Sequence, residues 1–344
     1  MLGMEARPPL VERQGRQWQF GAYVVEIAIS GSTAAFALGD GTLRLLTLDP
    51  GSDETPGVVD AHDGACLSLA ANKDGFISTG DDGKLRRIET DGAAETLLDQ
   101  PGKWIEHVAT PADAGFIACA VGKTLTILPR RGDPFDLPHG SSIAAMAVDP
   151  RGKRVAAAHY GGVSLWWANG RADQKPEALA WKGSHISLTW SLDGRFIVTG
   201  MQEQALHGWR IVDRKDMRMS GYPAKTRSFS WTLKGKFLAT AGADHVICWP
   251  FMGKDGPMGQ PPLEVGLPGP LIRKVACHPK VDIIAAGRED GSIVIYRLDQ
   301  EGVVPVKAAG DGEVTALCWR EDGRALLFGT ERGAGGIVWF LPQS

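Results

Sequence analysis

The 344-residue chain has little of what usually fixes a function at first sight. It holds five cysteines, an odd number, scattered singly and without Cys-x-x-Cys or His-x-His spacing. Neither a disulfide framework nor a closed zinc site is expected, and reduced thiols point to the cytoplasm. No apolar run approaches the roughly 18 residues of a membrane span. Residues 1–16 carry charges and two prolines but no apolar stretch, so they do not read as an export signal. Positive charge is not in excess: 37 Lys and Arg face 40 Asp and Glu, for a net charge of −3. Arg86-Arg87, Arg130-Arg131 and Arg273-Lys274 are isolated pairs, read as solvated charges rather than phosphate contacts. Nucleic acid and membrane are therefore not expected as partners.

Catalytic signatures are missing too. There is no nucleophile elbow and no zinc-protease helix. Gly333–Gly336 lacks the strand–loop–helix setting of a phosphate cradle and reads as a lengthened turn. Cys277-His278 is at most half of a metal site. His278 falls where Trp190, Trp231 and Trp319 fall in other segments, which suits packing. No enzyme activity, cofactor or metal is expected.

What the chain does have is a period. Phe76, Phe116, Phe196 and Phe237 mark the same strand and lie 40, 80 and 41 residues apart. The stretch Thr189–Arg210 shows the unit most clearly: an apolar run, a Leu-Asp-Gly turn, a second run ending at Gly200, and a third ending on Trp209. Short strands repeating every 40–45 residues are the signature of a propeller blade. Eight units follow: 23–48, 66–89, 105–128, 143–167, 185–211, 226–251, 272–298 and 314–341. Seven further strand candidates lie between them, and the eighth unit ends without one. The missing strand is expected at the other end of the chain, in residues 16–20, where Trp18 and Phe20 would pack on the last blade. The expectation is one all-β domain over residues 1–344, an eight-bladed propeller of four-stranded blades closed by its N-terminal strand. Such closure protects the sheet edges. Met252–Pro262 and Arg171–Pro176 read as outer-rim loops.

These units resemble WD (Trp-Asp) repeats from about Trp18 onward. Unit two has His62, Lys73-Asp74-Gly75, Thr79 and Asp82-Gly83, with Ile88 in the place of Trp. Unit four has His139 and Trp166, with Tyr160 in the place of Asp. Unit five has Asp193-Gly194, Thr199 and Trp209, with Glu203 for Asp. Unit six has Thr240, Asp244 and Trp249, and unit seven Asp290-Gly291 and Tyr296. No unit keeps the whole pattern. The resemblance implies hydrogen-bonded His, Ser or Thr, Asp and Trp side chains inside each blade, so His62 and His139 are expected to be buried and bonded. It also implies an interaction scaffold, a monomer, that holds a protein or peptide partner.

The partner face is expected where loops entering the innermost strands meet the turns between second and third strands. Tyr23, Trp104, Arg227 and Arg273 belong to the first group, and His159, Tyr160, Arg288 and Arg332 to the second. Aromatic and arginine side chains are the usual anchors of such faces. The rival reading is an enzyme or a small-ligand or metal site in the central channel, assembled from separate blades. A quinone-dependent dehydrogenase is disfavoured, because its outer-strand Trp motif and export signal are both missing.

Overall fold

Apolar and β-branched runs cut by glycine and aspartate turns become short antiparallel strands in the computed structural model, which describes residues 8–340. In unit one, Val24–Ser30, Thr33–Leu38, Thr42–Thr47 and Gly57–Asp60 pair in that order. Thr33–Leu38 is buried along its whole length, whereas Gly57–Asp60 is largely exposed. Unit two repeats the gradient from Gly75–Gly80 to Ala94–Asp99. A strand with partners on both edges and a neighbouring unit on each face has no solvent side, so it reads as a continuous run rather than an alternation.

Units pack face to face around a circle. Val24–Ser30 lies beside Cys66–Asn72, which lies beside His107–Ala109, and on the far side Ile272–Cys277 lies beside Val314–Trp319. Val314–Trp319 returns to Val24–Ser30. The core sits between units: Phe36, Leu38, Leu327, Ile337 and Trp339 fill the space between units one and eight, and Ile77, Leu85, Ile105 and Ile117 that between units two and three.

The N-terminus closes the ring as the sequence suggested. Gly15–Gln19 pairs antiparallel with Ala334–Trp339, placing Trp18 opposite Gly335. The Phe20 ring meets Phe36 edge-on at 5.3 Å, and its N–H donates to the Gly333 carbonyl at 2.8 Å. A five-residue helix, Leu10–Gln14, precedes this strand and buries Val11; no feature of the residue pattern marks it.

The blade count is corrected. Counted as hydrogen-bonded sheets, the ring has seven blades, not eight: six of four strands and one of six. Units four and five share the six-stranded sheet through two 14-residue strands, Arg154–Trp167 and Glu177–Trp190. The cause is local. In units one, two and seven, an aspartate caps the backbone N–H two residues on: Asp40 at Thr42, Asp82 at Lys84 and Asp290 at Ser292. These caps define the tight turn. Tyr160 stands in that position in unit four and cannot cap. The turn opens through Gly161 and Gly162 at φ +97° and +138°, and the Tyr160 backbone pairs with Ser184 at the start of unit five. Each of the two long strands therefore serves two places in the repeat. Within Arg154–Trp167 the chain still folds back, because the Ala168 N–H donates to the Lys153 carbonyl at 2.9 Å.

A second correction concerns Gly333–Gly336. Only Gly333 is in the turn, at φ +85°. Gly335 and Gly336 lie within Ala334–Trp339, where Cβ atoms would meet the rings of Phe20 and Phe328.

Candidate functional site at the channel mouth

Side chains inside the blades come first, because they decide which residues are left for a partner. His62 is bonded on both nitrogens, Nδ1 to Asp82 at 3.0 Å and Nε2 to Ser78 Oγ at 2.8 Å. Burial depresses the His62 pKa despite the carboxylate. Burial alone would raise the Asp82 carboxyl; bonds from the Lys84 and Asp63 N–H groups and from His62 outweigh it and leave it below its ordinary value. His139 accepts the Trp166 indole N–H at 3.1 Å. His278 uses both nitrogens as well, Nε2 donating to the Gly323 carbonyl and Nδ1 accepting from the Lys280 and Val281 N–H groups. Its ring lies edge-on to Trp319. That is a packing position.

Two blade-internal residues were missed. Tyr222 holds unit six together: its hydroxyl bonds Thr240 Oγ1 at 2.7 Å and accepts the Trp249 indole N–H at 2.7 Å. Asp244 bonds only its neighbour His245. Trp181 stacks on His207 at 3.9 Å in unit five. Both stand four residues before the start of a unit, at 185 and 226, as His62 and His139 stand before 66 and 143, but neither is a histidine.

The two loop sets named from the sequence do meet. The turn between second and third strands is bonded to the loop before the same unit's first strand: Gly39 N–H to Tyr23 O at 2.8 Å, Glu289 to Leu271 at 2.9 Å and Glu331 to Glu313 at 2.9 Å. The mouth is thus a set of short loops pinned by backbone bonds. Tyr23, Trp104 and Tyr160 present their side chains there with 43%, 60% and 58% of their surface exposed. Arg227 and Arg332 are exposed and form no ion pair among the described residues. Arg273 is already paired, to Glu313 at 2.9 Å and Glu289 at 3.6 Å.

Two of the sequence candidates point elsewhere. Arg288 turns into its own blade and donates to the Tyr296 hydroxyl at 2.7 Å, so it stiffens unit seven. His159 is committed within its hairpin, to Tyr160 O and Ser164 Oγ, both at 2.9 Å. Around the ring, Tyr23, Arg227, Arg273 and Arg332 lie on units six, seven, eight and one, and Trp104 and Tyr160 on units three and four. The first group shares an electrostatic environment. The Tyr23 hydroxyl is pushed above its ordinary pKa by burial and by the carboxylates of Glu313 and Glu331, with Arg227 opposing.

Below the mouth the innermost strands carry charge that the sequence did not disclose. Glu26 stands two residues after the buried Val24, and Lys274 two after the buried Ile272. Lys274 had been read as a solvated member of a basic pair; it is half-buried on an innermost strand. Burial lowers its pKa and raises that of Glu26, each partly offset by the other's charge. Glu26 Oε2 accepts the Leu69 N–H at 3.0 Å. Among the described residues, no three His, Cys, Asp or Glu converge as a metal cage.

A ring of short sheets with a loop-built mouth is a β-propeller, and the comparisons agree. Residues 275–338 match the family described as the anaphase-promoting complex subunit 4 WD40 domain. The chain is 25% identical over 321 residues to telomerase protein component 1 of Mus musculus, which covers 90% of this chain and 12% of that relative's length. Among solved structures it resembles the computationally designed Ika8 protein, with a TM-score of 0.75 and 16% identity, over 94% of this chain and 98% of that one. That last likeness is one of fold alone. The chain is a β-propeller that is similar to WD40 domains, by the family match over residues 275–338 and by its likeness to the mouse relative. No helix among its described residues is long and apolar enough to cross a membrane.

Proposed function

We propose that the protein is an interaction scaffold that presents its channel mouth to a protein or peptide partner. WD-repeat propellers are generally such scaffolds, and the observation that supports this face is the exposure of Tyr23 and Trp104 on loops held by backbone bonds and of Tyr160 on a strand paired to its neighbour. Large aromatic groups left in water on a rigid support bury much area on docking at little ordering cost. None of the three is needed for a side-chain hydrogen bond inside its blade. The relatives' names fit the reading: one is a complex subunit and the other a component of telomerase. Each is the part of a larger assembly, and a part of that kind is what we propose here. The five cysteines form no disulfide, and burial raises the thiol pKa of Cys66, Cys119, Cys248, Cys277 and Cys318, which suits a reducing compartment such as the cytoplasm.

The test is affinity capture from the native host with Trp104→Ala and Arg227→Ala, beside a deletion within Met252–Pro262. Mouth variants should lose partners while melting as the parent does. Partners kept by both mouth variants and lost by the rim deletion would move the site to the outer edge.

A further inference from the structure

Around the mouth, Arg227, Lys274, Arg332 and Glu331 have no ion pair among the described residues, and of the three cations Arg227 and Lys274 belong to the innermost segments of adjoining units. Arg273 is held by Glu313 and Glu289, and Arg288 by Tyr296. Glu26 takes the Leu69 N–H and the Ser68 hydroxyl. Neither Arg227 nor Lys274 has an ion pair or a side-chain hydrogen bond among the described residues. They are neighbours: the Val275 N–H donates to Ser228 Oγ at 3.0 Å and the Cys277 N–H to Ser230 Oγ at 2.8 Å, so the segment from Arg227 into Phe229–Trp231 runs beside Ile272–Cys277, which contains Lys274. Arg227 is exposed at the mouth, and Lys274 stands one level further in, half-buried on the channel wall. Two like charges on adjoining strands, one of them largely withdrawn from water, repel each other and cost desolvation, which the charges of Glu26 and Glu313 offset only in part; a ligand anion would offset more.

We propose that the channel mouth between units six and seven binds a carboxylate presented by the protein partner, with Lys274 as the inner contact and Arg227 as the outer one. An acidic side chain or a chain-terminal carboxylate has the required charge and width. Arg227 offers a planar fork at the entrance, and Lys274 a single ammonium deeper in. The nearby acids leave both cations open to such a ligand, because Glu313 is bonded to Arg273 and Glu26 to the Leu69 N–H, and neither contacts Lys274 or Arg227 directly. Tyr23, half-exposed at the same mouth and within range of the Arg227 charge, offers an aromatic surface to the peptide that carries the carboxylate. This inference rests on the mouth being the partner face, and it adds the chemistry that the partner must bring.

The experiment selects peptides from a random twelve-residue library, with free C-termini, on the full chain. Affinities of the selected peptides are then measured by fluorescence anisotropy. We expect a recurrent Asp, Glu or C-terminal carboxylate whose conversion to the amide weakens binding about tenfold or more. Lys274→Met and Arg227→Gln should weaken the acid peptide by a similar factor and leave the amide peptide unchanged, and Lys274→Arg should restore most of the loss. Arg227 is exposed, so that variant carries the test if Lys274→Met does not fold. Peptides that Trp104→Ala weakens but that keep their affinity when each carboxylate is converted to the amide, or that ignore both cation variants, would overturn the carboxylate while leaving the face. Peptides indifferent to every mouth variant would overturn both. Succinate binding as tightly as the acid peptides would overturn a protein as the source.

Discussion

Ring closure by the N-terminal strand can be tested at one pair of residues. A Cβ on Gly335 would lie 2.2 Å from Cε2 of Phe20, 2.9 Å from Cδ2 and 3.0 Å from Cζ. Carbon atoms in contact prefer about 3.5–4.0 Å, so Gly335→Ala must push the ring by more than about 1 Å. The ring cannot move freely. It meets Phe36 edge-on at 5.3 Å, stacks on Trp18 at 6.4 Å and lies under the Arg44 guanidinium at 6.0 Å. Overpacking of this kind costs about 1–3 kcal/mol. Phe20→Ala alone removes a half-buried ring, and about half of the usual 3–5 kcal/mol for a buried phenylalanine is expected. With the ring gone, Gly335→Ala should change sign. The residue lies in a regular strand without a positive φ, where alanine gains about 0.4–1 kcal/mol over glycine. The two substitutions should therefore couple by about 2 kcal/mol. Urea denaturation of the four proteins, followed by tryptophan fluorescence, measures this. Equal destabilisation by Gly335→Ala in both backgrounds would mean that Phe20 does not sit on the last blade.

Two further outcomes follow from the blade interiors. Tyr222→Phe leaves the Trp249 indole N–H and the Thr240 hydroxyl without their shared partner, and should cost about 1–2 kcal/mol in urea denaturation; a neutral result would show that Tyr222 does not hold unit six. His207 is buried between Trp181 and Trp209 with no hydrogen bond to its nitrogens, and burial pulls its pKa down to about 4 although the Asp216 carboxylate, 3.5 Å from Nε2, opposes the shift. The unfolded chain takes up that proton near pH 6.5 while the folded chain resists until about 4, so stability should be full above 6.5 and fall steadily below it. His207→Phe should flatten the fall in denaturation midpoint between pH 7 and 4.5, though not abolish it, because burial draws His139 down to about 4 as well; an unchanged slope would refute the assignment.

The features legible in the sequence were those set by repetition. Phe76, Phe116, Phe196 and Phe237 recur because each fills the same place in a second strand, and Trp18 and Phe20 were legible because the last unit lacked an outer strand. What escaped was set by neighbours distant along the chain. Tyr222 does the work of a histidine and was passed over because its type, not its place, differs. Lys274 looked like half of a solvated pair with Arg273; only the stacking of first strands around the channel shows that alternate residues at this depth look inward. Arg288 looked like a mouth residue and was drawn inward by Tyr296, a partner eight residues on across a hairpin. The blade count depended on one backbone pairing, Tyr160 with Ser184, which no composition or spacing reveals.

That pairing also separates what Tyr160 does by its backbone from what it does by its side chain. The backbone carries the shared sheet of units four and five, and any residue can supply it. The side chain is 58% exposed and makes no hydrogen bond. Tyr160→Ala should therefore stay within about 0.5 kcal/mol of the parent in urea denaturation, as exposed substitutions usually do. Gly162, two residues on, is the contrasting case. It has φ +138°, and a Cβ there would lie 2.1 Å from the Leu179 carbonyl oxygen, which is backbone and cannot swing away. Gly162→Ala should break the register with Glu177–Trp190 and cost several times as much. If Tyr160 is an anchor of the partner face, Tyr160→Ala keeps the fold and loses the partner captured by the parent. Equal damage from both substitutions would mean that the tyrosine ring is part of the blade after all, and would remove it from the face.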